Sequence, residues 1–445
     1  MRRIAALFAI AMLVSGAAFA QAGVGGYLQT DLRLQTGRDN MFSWNENRLA
    51  LTLSGSPVAG ARYYSELWLS TFGLPDVSSS SNLSEPDRVS PWGLDLREAY
   101  VDLYGFVFPA LDIRVGRQRI AWGTADGLNP TDNLNPDDLR DVWDFGRHLG
   151  SDALKAVFYW GGFNFTGAYI PTFRPAVLPT GDWAAALSPP MELPPGLALR
   201  NLTDTIGMPA DNPKHASSGG VRIGTALLNY DLSLSYVYAR DDLPLADSIA
   251  FIPVDTMGTV DVTSRLIYPR MQVVGADLAG VALGVGVWAE AAMILPDEVV
   301  MTLDLSALGM GTKDSTVLDN KPYFKYVLGA DYTFKNGIYV NMQHLRGFVH
   351  ERGRANLEDY LMLGAEKKFL NDRLTVRPIA GGATIKDYGD IANSYAVLYG
   401  PELAYRPVDN AEILIGAHII EGKANTAFGR MKDNDEVYLK VKYSF

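Results

Sequence analysis

The chain of 445 residues carries 39 basic and 50 acidic side chains, a formal net charge of −11, and no cysteine. That balance, with no basic patch, argues against a nucleic-acid partner, and the lack of cysteine excludes disulfides and thiolate metal sites. No apolar run beyond the amino-terminal region is long enough for a membrane-spanning helix, whereas 43 glycines and 22 tyrosines suit tight turns and interfacial aromatic girdles.

Met1-Arg2-Arg3, the apolar run Ile4 to Val14 and the small-residue stretch ending at Ala20 predict a signal peptide over residues 1–20. Gln21 is then the first mature residue, and the absence of a following cysteine excludes a lipidated amino terminus. Residues 21–445 read as a single domain.

From Gly26 the chain alternates polar and apolar residues with a period of two, as half-buried strands do. Leu28, Thr30, Leu32 and Leu34 oppose Tyr27, Gln29, Asp31, Arg33 and Gln35. Strands are expected at 48–53, at 61–71, after the loop to Pro91 with Ala99, Val101 and Leu103 against Glu98, Tyr100 and Asp102, and from Leu111. Others follow at 153–160, 162–170, 219–228, 230–240, 265–278, 281–293, 322–334, 337–346, 357–369, 373–384, 393–406, 411–420 and 436–445.

Short turns such as Gly161-Gly162, Ala279-Gly280 and Asn371-Asp372 alternate strictly with long connections at 72–92, 121–151, 172–218, 241–264, 296–320, 347–356, 385–392 and 421–435. That asymmetry predicts short periplasmic turns and long extracellular loops.

The last strand sets Val437, Leu439, Val441, Tyr443 and Phe445 on one face and Tyr438, Lys440, Lys442 and Ser444 on the other. The expectation is an all-β, transmembrane, antiparallel up-and-down β-barrel of about eighteen strands, with sixteen as the alternative count. A secreted sandwich or propeller is the competing fold. The inward set, including Asp31, Arg33, Arg62, Glu66, Asp102, Lys325 and Lys440, is too charged for a dry core, so the lumen is expected to be wet.

The alternation breaks at Leu111 to Gly123, where Arg117 and Arg119 would follow Leu111, Ile113 and Val115 into lipid at about 2–4 kcal/mol each. A bulge at Gly116 would turn Arg114, Arg117 and Arg119 inward and return Ile120 and Trp122 to the outer face. The simpler alternative leaves Arg117 and Arg119 above the membrane, in the rim. Two Asn-Pro turns follow. If 124–141 folds inward, Asp126, Asp132, Asp137 and Asp138 would meet the arginines. The same carboxylates suit calcium, although the spacing is not that of an EF-hand.

Leu96-Arg-Glu-Ala-Tyr-Val-Asp102, Gly116-Arg-Gln-Arg-Ile-Ala-Trp-Gly123, Asn129-Pro and Asn135-Pro resemble a poorly characterised family of proteobacterial outer-membrane barrels. Its members share a G-R-Q-x-x-x-W-G stretch followed by N-P-x-D turns. The chain is similar, more loosely, to alginate-export-type porins. The close match is confined to this region. It implies an outer-membrane, porin-like protein, and some relatives are suspected of exporting lipids or hydrophobic compounds.

The proline-rich connection 172–218 is expected to fold into the lumen as a constriction, with a cap over the mouth as the alternative. His344 or His350 with Asp359, or His418 with Ser394, could be drawn as a rim catalytic site, but no nucleophile elbow accompanies them, so an enzyme is not expected. No cofactor or metal is expected.

The function expected is passive diffusion of small polar or charged solutes through a constricted, water-filled lumen. Its filter would comprise Arg114, Arg117, Gln118, Arg119 and Asp126, with Arg33, Arg62, Glu66 and Asp102 on neighbouring strands. Alternatives are an occluded barrel that passes a hydrophobic compound past inner-face Tyr64, Trp68, Tyr100 and Tyr159, and a non-conducting surface-binding barrel. Expected partners are the outer-membrane bilayer, small solutes, a homo-oligomeric copy and the assembly machinery that reads the strand ending in Phe445.

Overall fold

The computed structural model describes residues 22–37, 41–144, 146–187 and 193–445; the expected leader and its cleavage site lie outside the described residues. The strands begin with β1 (Gly23–Gln35), β2 (Phe42–Val58), β3 (Ala61–Phe72), β4 (Trp92–Leu103), β5 (Leu111–Gln118), β6 (Ser151–Trp160), β7 (Phe163–Ile170) and β8 (Ala198–Gly207). Next come β9 (Ser218–Leu227), β10 (Tyr230–Arg240), β11 (Leu245–Pro253), β12 (Thr259–Ile267), β13 (Arg270–Ala282), β14 (Val285–Pro296), β15 (Val299–Asp304) and β16 (Thr312–Leu318). The series ends with β17 (Tyr323–Thr333), β18 (Ile338–Arg346), β19 (Asp359–Phe369), β20 (Leu374–Ile385), β21 (Tyr395–Tyr399), β22 (Glu402–Val408), β23 (Ala411–Gly422) and β24 (Glu436–Ser444).

Nineteen of these strands form one sheet, and it closes because β1 pairs with both β2 and β24. The closing register sets Tyr27 opposite Ser444 and Gln35 opposite Glu436. Gly26 and Phe445 exchange two backbone hydrogen bonds of 3.0 Å. β21 and β22 are two halves of one stave, since both lie between β20 and β23. The break falls at Gly400-Pro401, where proline has no N–H to give to a ladder. The barrel thus has eighteen staves, all antiparallel, in up-and-down order.

The side-chain alternation sets the two faces. On β24, Val437, Leu439, Val441 and Tyr443 are exposed outward and Tyr438 is buried inward. On β10, Leu234, Tyr236 and Tyr238 are exposed outward, and Ser233, Ser235 and Val237 are buried. An apolar outer face around a closed, fully hydrogen-bonded sheet is the arrangement that a bilayer stabilises.

Two boundaries differ from the sequence expectation. β2 runs from Phe42 to Val58, well beyond 48–53. The β13–β14 hairpin turns at Leu283-Gly284, with φ of +53° and +82°, and not at Ala279-Gly280. Both glycines could have made that turn. Gly280 pairs with Tyr230 on β10 within the strand, where a Cβ would lie 2.4 Å from that ring.

The long connections hold the larger surprise. Segments expected as loops supply a second sheet of five strands, in the order β16-β15-β11-β12-β8. Two hairpins, β11–β12 and β15–β16, meet through the parallel β11–β15 pairing, and β8 adds parallel to β12. Phe251, Val260 and Val262 are its buried core, packed by Leu197, Ile249 and Leu303. Residues 265–267, expected in a barrel stave, belong to this sheet.

Candidate functional site

β5 pairs in unbroken register with β4 and β6, so Gly116 introduces no bulge. Its φ is +126°, and a Cβ would lie 2.3 Å from the Ala99 carbonyl oxygen; glycine serves close approach there. The phase shift lies one strand earlier. β3 and β4 slip between Glu66 and Leu67, leaving Arg97 as the extra residue of β4.

This corrects the expected filter. Arg117 stays on the outer face at the long-loop end of β5 and pairs with Asp152 across on β6, at 3.0 and 3.1 Å. Arg119 turns inward, where Asp132 and His148 hold it. Ile120 and Trp122, expected outside, are buried in the lumen at 2% and 4% exposure. They join an inner apolar cluster with Val237, Met271, Val273 and Ile294. Gly220 gives Trp122 its room: a Cβ there would lie 2.9 Å from the indole.

The segment 119–150 crosses the lumen, and part of it packs on an apolar stretch of inner wall that includes Ala153 on β6, Ile170 on β7, Val237 on β10 and Val273 on β13. That segment is gripped from opposite walls. On β14, the Glu290 carboxylate accepts from the backbone N–H groups of Thr124, Ala125 and Thr131, the Thr131 hydroxyl and Asn129 Nδ2, at 2.7–3.2 Å. On β18, Gln343 exchanges hydrogen bonds with the backbone of Asp126. On β1, Arg33 donates two bonds to Asp141 at 2.8 and 2.5 Å and two to Asp31.

On β4, Arg97 donates to Asp138 at 2.9 Å and to the His148 carbonyl at 2.7 Å. Arg140 and Arg147 also face Asp138. Burial pushes the Asp138 and Asp141 carboxyls up, but the guanidinium groups outweigh it and hold both well below the usual carboxylate range. His148 is shifted the other way. Burial pulls it down, yet the hydrogen bond to Asp137 and the charges of Asp132 and Asp137 raise it overall.

The remaining candidates divide by position. Arg114 pairs with Asp102 at 2.6 Å and lies over the Tyr100 ring; Tyr100 stacks on Tyr64. Glu66 accepts from Tyr64 and from Trp68 Nε1, and Trp68 is flanked by the guanidinium groups of Arg48 and Arg97 at 4.0 and 4.4 Å. Arg62 is exposed opposite Asp102 in register. Gln118 is fully buried and donates to the Ala153 carbonyl at 2.9 Å. The Asp126 side chain is exposed. Tyr159 is half exposed.

Asp31, Glu46, Arg48, Glu66, Glu98 and Arg119 border a polar cavity of about 630 Å³ in the lumen. Sequence reasoning missed Glu46, Arg97, Glu98, Glu290 and Gln343. All but Arg97, the extra residue of β4, are polar residues on inward-phase positions, and the segment they face is distant in sequence.

The connection 172–218 does not supply the crossing. Gly181–Ala186 packs onto the crossing segment, with Trp183 edge-on to Trp143 at 5.2 Å, and β8 joins the five-stranded sheet. The segment that enters the lumen is 119–150, whose aspartates meet wall arginines, and 172–218 packs over part of it. His418 stacks between Trp143 and Tyr438 and bonds Glu436, while Ser394 Oγ donates to two backbone carbonyls. His344 and Arg346 both meet Asp359. Among the described residues, no cluster of three or more metal-ligating side chains forms.

No family model matches the chain, and no curated protein matches it. Similar solved structures include OmpF of Salmonella typhi in complex with daunomycin. It is 10% identical over 97% of this chain and 99% of that one, with a TM-score of 0.41. A mutant of the Rh. blastica porin is 12% identical and a triple mutant of the Rhodopseudomonas blastica porin is 14% identical. Each match covers 95% of this chain and 100% of the porin, with a TM-score of 0.40.

Proposed function

We propose that this protein is an outer-membrane, porin-like channel for passive diffusion of small polar or charged solutes, narrowed by the inward segment 119–150. The observation that carries this reading is the polar cavity of about 630 Å³, whose border alternates Glu46, Glu66 and Glu98 with Arg48, Arg119 and Lys440. Barrels of sixteen to eighteen strands leave an aqueous channel, and side chains of opposite sign across it impose a transverse field on solutes. The lipid-facing apolar belt and the closing strand ending in Phe445 support outer-membrane residence and recognition by barrel-assembly machinery. Planar-bilayer recording of the refolded protein in a salt gradient tests the reading. Discrete open steps are expected, and their absence from a correctly folded barrel contradicts it.

A second reading is favoured by the inner apolar cluster around Ile120, Trp122 and Ile294. In it, the barrel is occluded to ions and passes a hydrophobic compound. Liposome flux of a polar dye separates the two.

A further inference from the structure

A second cavity, of about 130 Å³, lies between the inward segment, the wall and the 347–358 and 421–435 connections. Its border is mostly apolar, including Ile294 on the wall, Leu345 on β18, Phe348, and Trp143 from the inward segment. The polar groups on that border are unevenly satisfied, and the unevenness has a sign.

Lys325 projects from β17 and is buried, at 7% exposure. Its ammonium donates to the Phe348 carbonyl at 2.7 Å and has no carboxylate within ion-pair distance among the described residues. Trp143 Nε1 and His350 Nδ1 are buried without a hydrogen-bond partner. A buried amine with one carbonyl as its hydrogen-bond partner and a buried indole N–H without an acceptor are each costly.

The neighbouring carboxylates are already engaged. Asp241 is paired with Arg352, and Asp137 with His148 at 2.9 Å. Asp242 accepts the Asp137 N–H at 2.6 Å, and burial with the charges of Asp137 and Asp241 pushes its carboxyl up to about 7. Glu351 accepts from Tyr360 and from the N–H groups of Phe348 and Glu358. The open valences on this border therefore belong to donors and to a cation.

From this arrangement we infer that the cavity is a binding site for a small monocarboxylate with an aromatic or branched apolar body. The carboxylate supplies the counter-charge to Lys325 and an acceptor for Trp143 or His350; the apolar body lies against Leu345 and Phe348. Size agrees with this class: an apolar cavity of about 150 Å³ holds benzene. The inference stands independently of conduction, because it concerns occupancy of an enclosed site.

Benzoate is the probe and benzamide, its uncharged isostere, the control. Both are titrated into the refolded full-length protein in micelles, with binding read by calorimetry and by Trp fluorescence. Saturable benzoate binding is expected, at least tenfold tighter than benzamide. Lys325→Met should remove that preference, and Lys325→Arg should retain it. Ala427→Leu, which fills the cavity from its border, should abolish binding of both. Should Lys325→Met fail to fold, the wild-type comparison and Ala427→Leu still decide. No saturable benzoate binding, equal binding of benzamide, or unchanged binding to Ala427→Leu overturns the site. Conductance without benzoate binding would reject this inference alone, and benzoate binding by a silent barrel would reject only the channel.

Discussion

Glu290, on the barrel wall, accepts both the backbone N–H and the hydroxyl of Thr131, at 2.7 and 2.8 Å. The two residues are separated by most of half the barrel's sequence, yet this carboxylate also gathers Thr124, Ala125 and Asn129. It is 2% exposed, so water cannot replace it for the donors it holds.

Glu290→Ala should therefore free the first half of the inward segment. Each buried donor left without an acceptor costs about 1–3 kcal/mol. A lower urea midpoint and a larger, noisier conductance are expected. Unchanged conductance with a lowered midpoint would make the contact structural only.

Arg33 holds the other end. It meets Asp31 and Asp141 at once, with its side chain 3% exposed. Arg33→Met leaves the buried Asp141 carboxylate unpaired and Asp31 with Lys440 alone, a loss on the order of 3–5 kcal/mol. Asp141→Asn should cost less, because Asp31 still pairs with Arg33. Urea unfolding of the two variants and their double checks the ranking; equal losses would contradict it.

Acid acts on the same anchors. Asp138 and Asp141 have folded pKa values below the usual carboxylate range, so the stabilisation they give is present above the ordinary value of about 3.9. It is lost as pH falls through the folded values. Conductance should stay level from neutral pH down to about 4 and rise only well below it, where the anchors protonate. A rise that already begins above the ordinary histidine value of about 6.5 would point to His148 instead.

Selectivity separates the two arginines that share one motif. Arg119 borders the polar cavity, whereas Arg117 pairs with Asp152 on the outer face. Arg119→Ala should move the reversal potential toward cation preference; Arg117→Ala should leave it unchanged. A shift from Arg117→Ala alone would contradict the register of β5.

The barrel was legible in the sequence because alternation is local. Val437 to Tyr443 declare their face without reference to any partner, and eighteen such segments with alternating short and long connections leave little else to build. Position within the lumen was not local. Trp122 reads as lipid-facing only through the bulge expected at Gly116, and Gly220 on a remote strand shows where the indole goes. Arg97 reads as one more alternating residue, yet it is the extra residue by which β4 slips against β3. The five-stranded sheet escaped for a related reason: β8, β11 and β15 come from three connections, and their parallel pairing has no turn to announce it.

The central claim is that segment 119–150 narrows a conducting lumen. The direct measurement is single-channel conductance of the wild type beside a variant in which 124–147 is replaced by a short glycine-serine linker. Both are refolded and checked for closed-barrel mobility. The wild type should open in small, charge-selective steps, and the variant in severalfold larger steps with weaker selectivity. Equal steps from the two proteins, or silence from both, would contradict the account.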